Sequence, residues 1–177
     1  MLTNIELSEL AEYYHLPLRG VFLRDMLPPG GIKPGWYVYN LDDSYTEGNG
    51  LGTHWVCSIG DHDECVFFDS YGGPPPEEVA AFIRTRYRQH GENRWIVQSM
   101  VSENCGFFCM AIALWVKRER RKHKSLSECC NAFVNLFDQT EESDSVLRNF
   151  FAKRYANNHP IVIRKLLRGR KKSPQKT

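Results

Sequence analysis

The spacing of hydrophobic and polar positions divides the chain into helical and extended segments. Apolar residues recur at helical spacing over residues 5–15 and 77–90, which predicts two amphipathic helices. A third helix is expected over residues 105–120, after the N-cap candidate Asn104, and two more over residues 126–137 and 145–155. Short runs rich in aromatic and β-branched residues predict strands at residues 36–41, 54–59, 64–69 and 94–99. Because the strands lie in the middle and helices at both ends, we expect an α+β fold with a small mixed or antiparallel central sheet packed by helices.

The length of 177 residues suits one domain. We expect a single domain over residues 1–163 and a basic, disordered tail over residues 164–177. The longest apolar-leaning run, residues 107–116, is half the length that crosses a bilayer, so no membrane association is expected. The sequence opens without the pattern of a secretory signal, and a protein that is not secreted keeps its six cysteines in a reducing compartment.

The formal net charge of +2 conceals an uneven distribution. Residues 164–177 contain seven basic residues and no acidic one, and residues 117–124 contain six basic residues and one Glu. The rest of the chain has 10 basic and 20 acidic residues. The sequence therefore describes an acidic body with two basic segments, and each segment is either a contact surface for an anion or a solvated helix end or tail.

His54 and Asp69 lie on two strands that a short turn connects. If Asp61 and His62 form a two-residue turn, Gly60 pairs with Asp63 and His54 lies opposite Asp69. Directly opposed side chains share a face, and a carboxylate beside an imidazole orients the ring for catalysis. A slip of one residue would put the two on opposite faces, so the alternative of a sheet-edge His and a turn-forming Asp stays open.

Cys105 has the surroundings of a reactive thiol. It follows Asn104, a favoured N-cap residue, and would stand in the first turn of a helix, where the helix dipole favours a thiolate. Gly106 allows a substrate or another backbone to approach closely. The other cysteines lie within apolar strands or helices and are interpreted as buried small hydrophobic residues; they are Cys57, Cys65, Cys109, Cys129 and Cys130.

Other chemistry finds little support in the spacing of the residues. No Cys-x-x-Cys or His-x-x-x-His pair is present, so we expect no metal site, and no glycine motif for nucleotides occurs.

Gln98 ends a predicted strand seven residues before Cys105. Its amide either donates to an oxyanion formed at Cys105 or is an ordinary polar group at the end of a strand.

Four motifs in a fixed order resemble the adenain family of adenovirus-type endopeptidases, which shares a clan with the SUMO-specific proteases. They are Gly52-Thr53-His54-Trp55-Val56, Phe67-Phe68-Asp69-Ser70-Tyr71-Gly72, Gln98, and Asn104-Cys105-Gly106-Phe107-Phe108-Cys109. The resemblance covers about residues 20–135. It implies the papain-like active-site arrangement of that clan.

Carried over to this chain, the resemblance assigns a role to each motif. Cys105 is the nucleophile, His54 the general base and acid, and Asp69 the group that orients His54. Gln98 forms the oxyanion hole together with the backbone N–H of Cys105. Adenovirus enzymes often carry Glu where this chain has Asp69, and Asp is usual in the wider clan. The expected substrate cleft is lined by Gly52, Trp55 and Gly106.

The resemblance also implies a biological setting. The expected function is a monomeric cysteine endopeptidase that cleaves viral capsid and core precursors after Gly-Gly or Gly-x sites, in the virion and the host nucleus or a cytoplasmic virus factory. Family members use a viral peptide and DNA as activators. Because residues 70–98 contain no Cys, a peptide activator would bind here without a disulfide. The expected contacts to duplex DNA are Lys117, Arg118, Arg120, Arg121, Lys122, Lys124, Arg168, Arg170, Lys171 and Lys172.

Two other functions remain open from the sequence. A protease of ubiquitin-like modifiers would use the same four residues, although a chain of 177 residues has little room for a modifier-docking surface. A DNA-binding virion protein could retain the fold without catalysis. The chemical competence of all four site positions argues against that second alternative.

Overall fold

The structure is a computed structural model that describes residues 1–44, 54–122, 125–137, 142–155 and 157–168. The strands are β1 (Leu18–Leu23), β2 (Gly35–Asn40), β3 (Trp55–Gly60), β4 (Cys65–Phe68) and β5 (Gly91–Glu92). The helices are α1 (Asn4–Tyr13), α2 (Glu77–Arg84), α3 (Cys105–Glu119), α4 (Leu126–Val134), α5 (Ser143–Arg154) and α6 (Pro160–Val162). A 3-10 turn (Arg120–Lys122) follows α3, and a π-helical turn (Ile163–Leu167) follows α6. No helix in the described ranges has the length and apolarity to cross a bilayer.

The five strands form one mixed sheet in the order β1-β2-β3-β4-β5. The two inner pairs, β2 with β3 and β3 with β4, are antiparallel. The two edge strands, β1 and β5, each pair in parallel with their neighbour. The α+β class and the mixed sheet packed by helices are therefore confirmed.

Helices cover both faces of the sheet. Trp36 and Val38 of β2 pack into the core that contains α3, whereas Tyr37 and Tyr39 pack with α2 on the opposite face. Every residue of β2, β3 and β4 is consequently buried. A strand that is buried on both faces does not show the hydrophobic-in, polar-out alternation of a half-exposed strand.

Helix α3 lies at the centre of the larger core. Apart from Lys117 and Arg118, its residues are buried, as is typical of a helix that is apolar on all sides. It packs against β3 of the sheet and against α1, α4 and α5. This burial holds the start of α3, at Cys105, within the larger core.

The β3–β4 hairpin has a longer turn than predicted. A four-residue loop, Asp61–Glu64, connects the strands, and the Asp61 carboxylate accepts hydrogen bonds from the backbone N–H groups of Asp63 and Glu64, both at 2.9 Å. Gly60 therefore pairs with Cys65 and not with Asp63. The predicted register was wrong by two residues, but a shift of two keeps every side chain on its predicted face.

Three other predictions differ from the structure. Strand β1 was not predicted, because Gly20 made its segment resemble a turn. Residues 94–99 do not form a strand: the N–H groups of Val97 and Gln98 both donate to the carbonyl of Ser70, at 2.9 and 3.0 Å. Helix α2 ends at Arg84, six residues earlier than predicted.

The folded chain continues into the segment that the sequence predicts to be a tail. Leu166 is buried in the main core, and Lys165 donates to Glu6 at 2.7 Å and to the carbonyl of Met1 at 3.1 Å. The start of the predicted tail, up to Leu166, is thus part of the folded protein. Residues 169–177 lie outside the described residues.

Candidate active site

His54 and Asp69 form a buried, hydrogen-bonded pair at one end of the sheet. His54 immediately precedes β3 and Asp69 immediately follows β4, so the antiparallel hairpin brings them to the same end. The Nε2 atom of His54 lies 2.6 Å from Oδ1 of Asp69. Both residues are largely buried, with 9% and 6% of their surface exposed. In such a pair, the carboxylate orients the ring and stabilises its protonated form.

The chain that follows Asp69 holds its carboxylate in place. The backbone N–H of Tyr71 donates to Oδ1 at 2.8 Å, and that of Gly73 donates to Oδ2 at 3.2 Å. A Cβ atom at position 73 would lie 2.8 Å from Oδ2, so the close approach of the backbone requires Gly there. These backbone hydrogen bonds orient the Asp69 carboxylate independently of its contact with His54.

Asn93 fixes the backbone of Asp69 from the other side. Its Oδ1 accepts the Asp69 N–H at 2.9 Å, and its Nδ2 donates to the Asp69 carbonyl at 2.6 Å and to the Trp95 carbonyl at 3.2 Å. Asn93 is buried, so its amide replaces the partners that another strand would supply at this point. Sequence reasoning missed this residue, because a single Asn after a two-residue strand carries no recognisable signal.

Cys105 is the first residue of α3 and is 2% exposed. The prediction that the helix begins there is confirmed, although the Asn104 side chain makes no capping hydrogen bond. The unpaired N–H groups of the first turn and the helix dipole favour a negative charge at this position. The thiol therefore lies at the positive end of the α3 dipole.

The imidazole of His54 connects Asp69 to Cys105. Burial lowers the pKa of His54, but hydrogen bonds and charge interactions with Asp69 and Cys105 outweigh it and raise the pKa to about 9. Because Nε2 contacts Asp69, Nδ1 is the ring nitrogen available to the thiol. The imidazolium form of His54 therefore persists at neutral pH, with the Asp69 carboxylate and the Cys105 thiol as its partners.

The other cysteines have the surroundings of inert core residues. All six cysteines are buried. Burial raises the pKa of Cys65 and of Cys130 to about 12, and that of Cys109 well above its usual range. Thiols of this kind stay protonated and unreactive at neutral pH.

Gln98 is buried close to the start of α3. Its Oε1 accepts the Ser70 hydroxyl at 2.7 Å, which fixes the orientation of the amide. Its Nε2 donates to the Ser102 carbonyl at 2.7 Å and to the Tyr71 hydroxyl at 3.3 Å. The amide nitrogen thus faces the loop before Cys105, and its hydrogen-bond partners in this state are protein oxygens.

Two further contacts shape the site. The ring of Tyr71 lies against the His54 imidazole, with 4.7 Å between ring centroids and 30° between planes. The hydroxyl of Ser102 donates to Asp144 of α5 at 2.7 Å, so α5 anchors the loop before Cys105. Tyr71 belongs to the Asp69 motif and could have been singled out there, whereas Asp144 gives no local signal.

The structure describes two of the three expected cleft residues, Trp55 and Gly106. Trp55 is buried, and its indole N–H donates to the Leu2 carbonyl at 2.9 Å. A Cβ atom at Gly106 would lie 3.2 Å from the side chain of Leu2 and 3.4 Å from Trp55. The N-terminal segment therefore covers both residues, and Gly106 serves helix packing. Gly52 lies outside the described residues.

The first basic segment makes many contacts within the protein. Lys117 donates to the carbonyls of Tyr14 and His15 at the end of α1, at 3.0 and 2.9 Å. Arg118 and Lys122 both pair with Glu119, at 2.9 and 3.1 Å. Arg120 pairs with the carboxylates of the hairpin loop, on Asp61 and Glu64. Arg121 and Arg168 are exposed, and Lys124, Arg170, Lys171 and Lys172 lie outside the described residues.

Comparison with known proteins adds no identification. The chain matches no known family profile, and no curated protein is significantly similar to it. Within the described ranges, no cluster of three His, Cys, Asp or Glu side chains could bind a metal ion. The geometry of the site is therefore the main basis for a functional assignment.

Proposed function

We propose that the protein is a cysteine endopeptidase with Cys105 as nucleophile and His54 as base and acid. The observation that carries the proposal is the buried contact of 2.6 Å between His54 and Asp69, with the thiol at the start of α3 as the second partner of the same imidazole. A raised His54 pKa of about 9 supports a thiolate–imidazolium pair at neutral pH. Such a pair is the activated form of a thiol nucleophile.

The proposed reaction has two steps. The Cys105 thiolate attacks the scissile carbonyl, the oxyanion receives hydrogen bonds, and His54 gives its proton to the leaving amine, which leaves a thioester on Cys105. His54 then takes a proton from water, hydroxide attacks the thioester, and the acid product leaves with the thiolate restored. Asp69 keeps the imidazole in the orientation that serves both steps.

The finer features of the proposal rest on the sequence motifs. A papain-like arrangement is supported by the nucleophile at the start of a central helix and the His–carboxylate pair on the adjoining sheet. The resemblance to adenains supports viral precursor proteins as substrates, with Gly-Gly or Gly-x before the cut, and work in the virion, the host nucleus or a virus factory. Exposed apolar side chains close to Gln98 could contact such a chain: Trp95, Ile96, Met100 and Val101.

A cleavage assay tests the proposal. The purified chain is incubated with peptides that contain Gly-Gly and with ubiquitin-like precursors, beside Cys105→Ala and a control, Cys65→Ala, which removes another buried thiol. We expect cleavage of the peptides by the wild type and the control, and none by Cys105→Ala. Equal activity in Cys105→Ala would refute the nucleophile. Cleavage of modifier precursors alone would assign the protein to the modifier proteases.

We also propose duplex DNA as a partner, bound through the second basic segment. In the first segment, Arg118, Arg120 and Lys122 are paired with carboxylates, so phosphate binding there would have to break ion pairs. The chain beyond Arg168 carries four more basic residues and no acidic one. Charge composition therefore favours the C-terminal residues as the DNA contact. A virion protein that only binds DNA would show this affinity and no cleavage.

A further inference from the structure

We propose that the Tyr71 hydroxyl is a donor of the oxyanion hole, oriented by Gln98. This inference rests on the proposed peptidase function. It concerns a group that the sequence motifs leave without a role, and it gives Gln98 a different part from the direct donor that the resemblance implies.

The position of the Tyr71 ring is fixed at both ends of the residue. Its backbone N–H donates to the Asp69 carboxylate at 2.8 Å, and the next residue, Gly72, donates its N–H to the Asp69 carbonyl at 2.9 Å. The ring itself lies against the imidazole of His54. A tyrosine side chain has only two rotatable bonds before the ring, so these contacts also fix the hydroxyl.

The hydroxyl reaches from the imidazole to the loop that leads into the nucleophile. It donates to the carbonyl of Ser102 at 3.4 Å and accepts from Nε2 of Gln98 at 3.3 Å. Tyr71 therefore bridges the general base and the residues just before Cys105. Tyr71 is also close enough to Cys105 for the two to interact electrostatically. A substrate carbonyl attacked by Cys105 would therefore bring its oxygen near the Tyr71 hydroxyl.

The Tyr71 hydroxyl can turn its proton away from the Ser102 carbonyl at little energetic cost. An O–H···O bond is strongest near 2.7–2.8 Å, so the contact of 3.4 Å with the Ser102 carbonyl is weak. That carbonyl already accepts the Gln98 amide at 2.7 Å and keeps a partner if the hydroxyl turns away. The developing oxyanion is a stronger acceptor than a carbonyl, and the hydroxyl would turn toward it.

Gln98 orients the Tyr71 hydroxyl by donating a hydrogen bond to it. The Ser70 hydroxyl donates to Oε1 of Gln98 and so fixes the orientation of the amide. In this orientation Nε2 donates one hydrogen bond to the Ser102 carbonyl and another to the Tyr71 hydroxyl oxygen. A hydroxyl that accepts one hydrogen bond becomes a better donor in the next. Burial raises the pKa of Tyr71, and the charges of Cys105 and Asp69 raise it further. The phenol therefore remains protonated at the pH of catalysis and can donate a hydrogen bond.

Tyr71→Phe tests the inference, because it removes the hydroxyl and keeps the ring against His54. The matched control is Tyr13→Phe, which removes a hydroxyl that donates to the Asn157 carbonyl on another surface. The readouts are kcat and KM on a Gly-Gly peptide, the inhibition constant of a peptide aldehyde, and the alkylation rate of Cys105 by iodoacetamide. The aldehyde adds to the thiol and places an oxygen in the oxyanion hole, whereas alkylation forms no oxyanion.

We expect Tyr71→Phe to lower kcat by about 10²-fold or more, with KM within about twofold. Aldehyde affinity should fall in parallel, while alkylation of Cys105 and the alkaline limit of activity stay as in the wild type. Unchanged kcat and aldehyde affinity would overturn the inference. A joint loss of kcat and alkylation would also overturn it, because Tyr71 would then act through His54. If the wild type itself neither cleaves peptides nor binds the aldehyde, the proposed function fails.

Discussion

The His54 imidazole and the Asp69 carboxylate meet at 2.6 Å, although the two residues are not partners in the β3–β4 ladder. The ladder ends at Cys57 and Phe68, and continuing its register would place Tyr71, not Asp69, opposite His54. The contact is therefore diagonal, and it depends on the backbone that turns after Asp69. Asn93, Tyr71 and Gly73 all bond to Asp69 and hold that turn.

The pH dependence of activity should follow the His54 pKa. The folded-state pKa of about 9 lies above the ordinary histidine pKa of 6.5, so the imidazolium persists at neutral pH and is lost as the pH rises through about 9. We expect kcat/KM to fall over that range. Asp69→Asn removes the stabilising charge and should move the alkaline limit to lower pH. An unchanged limit in Asp69→Asn would contradict the role of Asp69.

The same linkage predicts a pH-dependent stability. A group whose pKa is raised on folding stabilises the protein fully below its unfolded pKa, and this contribution is lost as the pH rises through the folded pKa. The free energy of unfolding should therefore fall between about pH 6.5 and 9 by more in the wild type than in His54→Gln. Urea titrations across this range measure the difference. Parallel curves for the two proteins would show that the pair adds no stability.

Asn93→Ala should weaken both the fold and the site. It removes two hydrogen bonds to the buried backbone of Asp69 and leaves those groups unsatisfied, at a cost of about 1–3 kcal/mol each. Urea denaturation measures the stability, and the pH profile of kcat/KM reports the position of Asp69. We expect a lower alkaline limit in Asn93→Ala and no change in the control Asn157→Ala, whose residue is exposed. A loss of stability with an unmoved pH profile would make Asn93 a structural residue only.

Helix α5 should contribute to activity through Asp144. Asp144→Ala removes the acceptor of the Ser102 hydroxyl and loosens the loop before Cys105, at a cost of about 1 kcal/mol in stability. Asp144→Asn keeps an oxygen acceptor and is the matched control. We expect kcat to fall in the Ala variant and to be largely retained in the Asn variant. Equal loss in both would indicate that the charge of Asp144, not its hydrogen bond, matters.

Binding to duplex DNA should depend on salt and on the C-terminal residues. Removing residues 169–177 deletes four basic residues and should reduce the slope of log affinity against log salt by up to about 4, as fewer counterions are released. Fluorescence anisotropy with labelled duplex DNA between ~50 and ~200 mM salt measures this slope. The control Arg120→Ala should leave the affinity unchanged, because Arg120 pairs with Asp61. Salt-independent affinity would contradict a phosphate contact.

Local sequence patterns determined much of the site. Asn104, a favoured N-cap residue, predicted where α3 begins, and so placed Cys105 at its first turn. The predicted hairpin put His54 and Asp69 on one face, and this survived an error of two residues in the register because the period of a strand is two. The basic segments were also evident from composition alone.

Tertiary structure decided what these local patterns leave open. The turn length of the hairpin, the bonding of residues 94–99 to Ser70, and the Asn93 contacts to Asp69 depend on groups that are distant in sequence. Only the folded chain shows that Glu119 neutralises part of the first basic segment and that Tyr71 joins His54 to Gln98. The physical reason is that periodicity encodes which way a side chain points, whereas its partner is set by long-range packing.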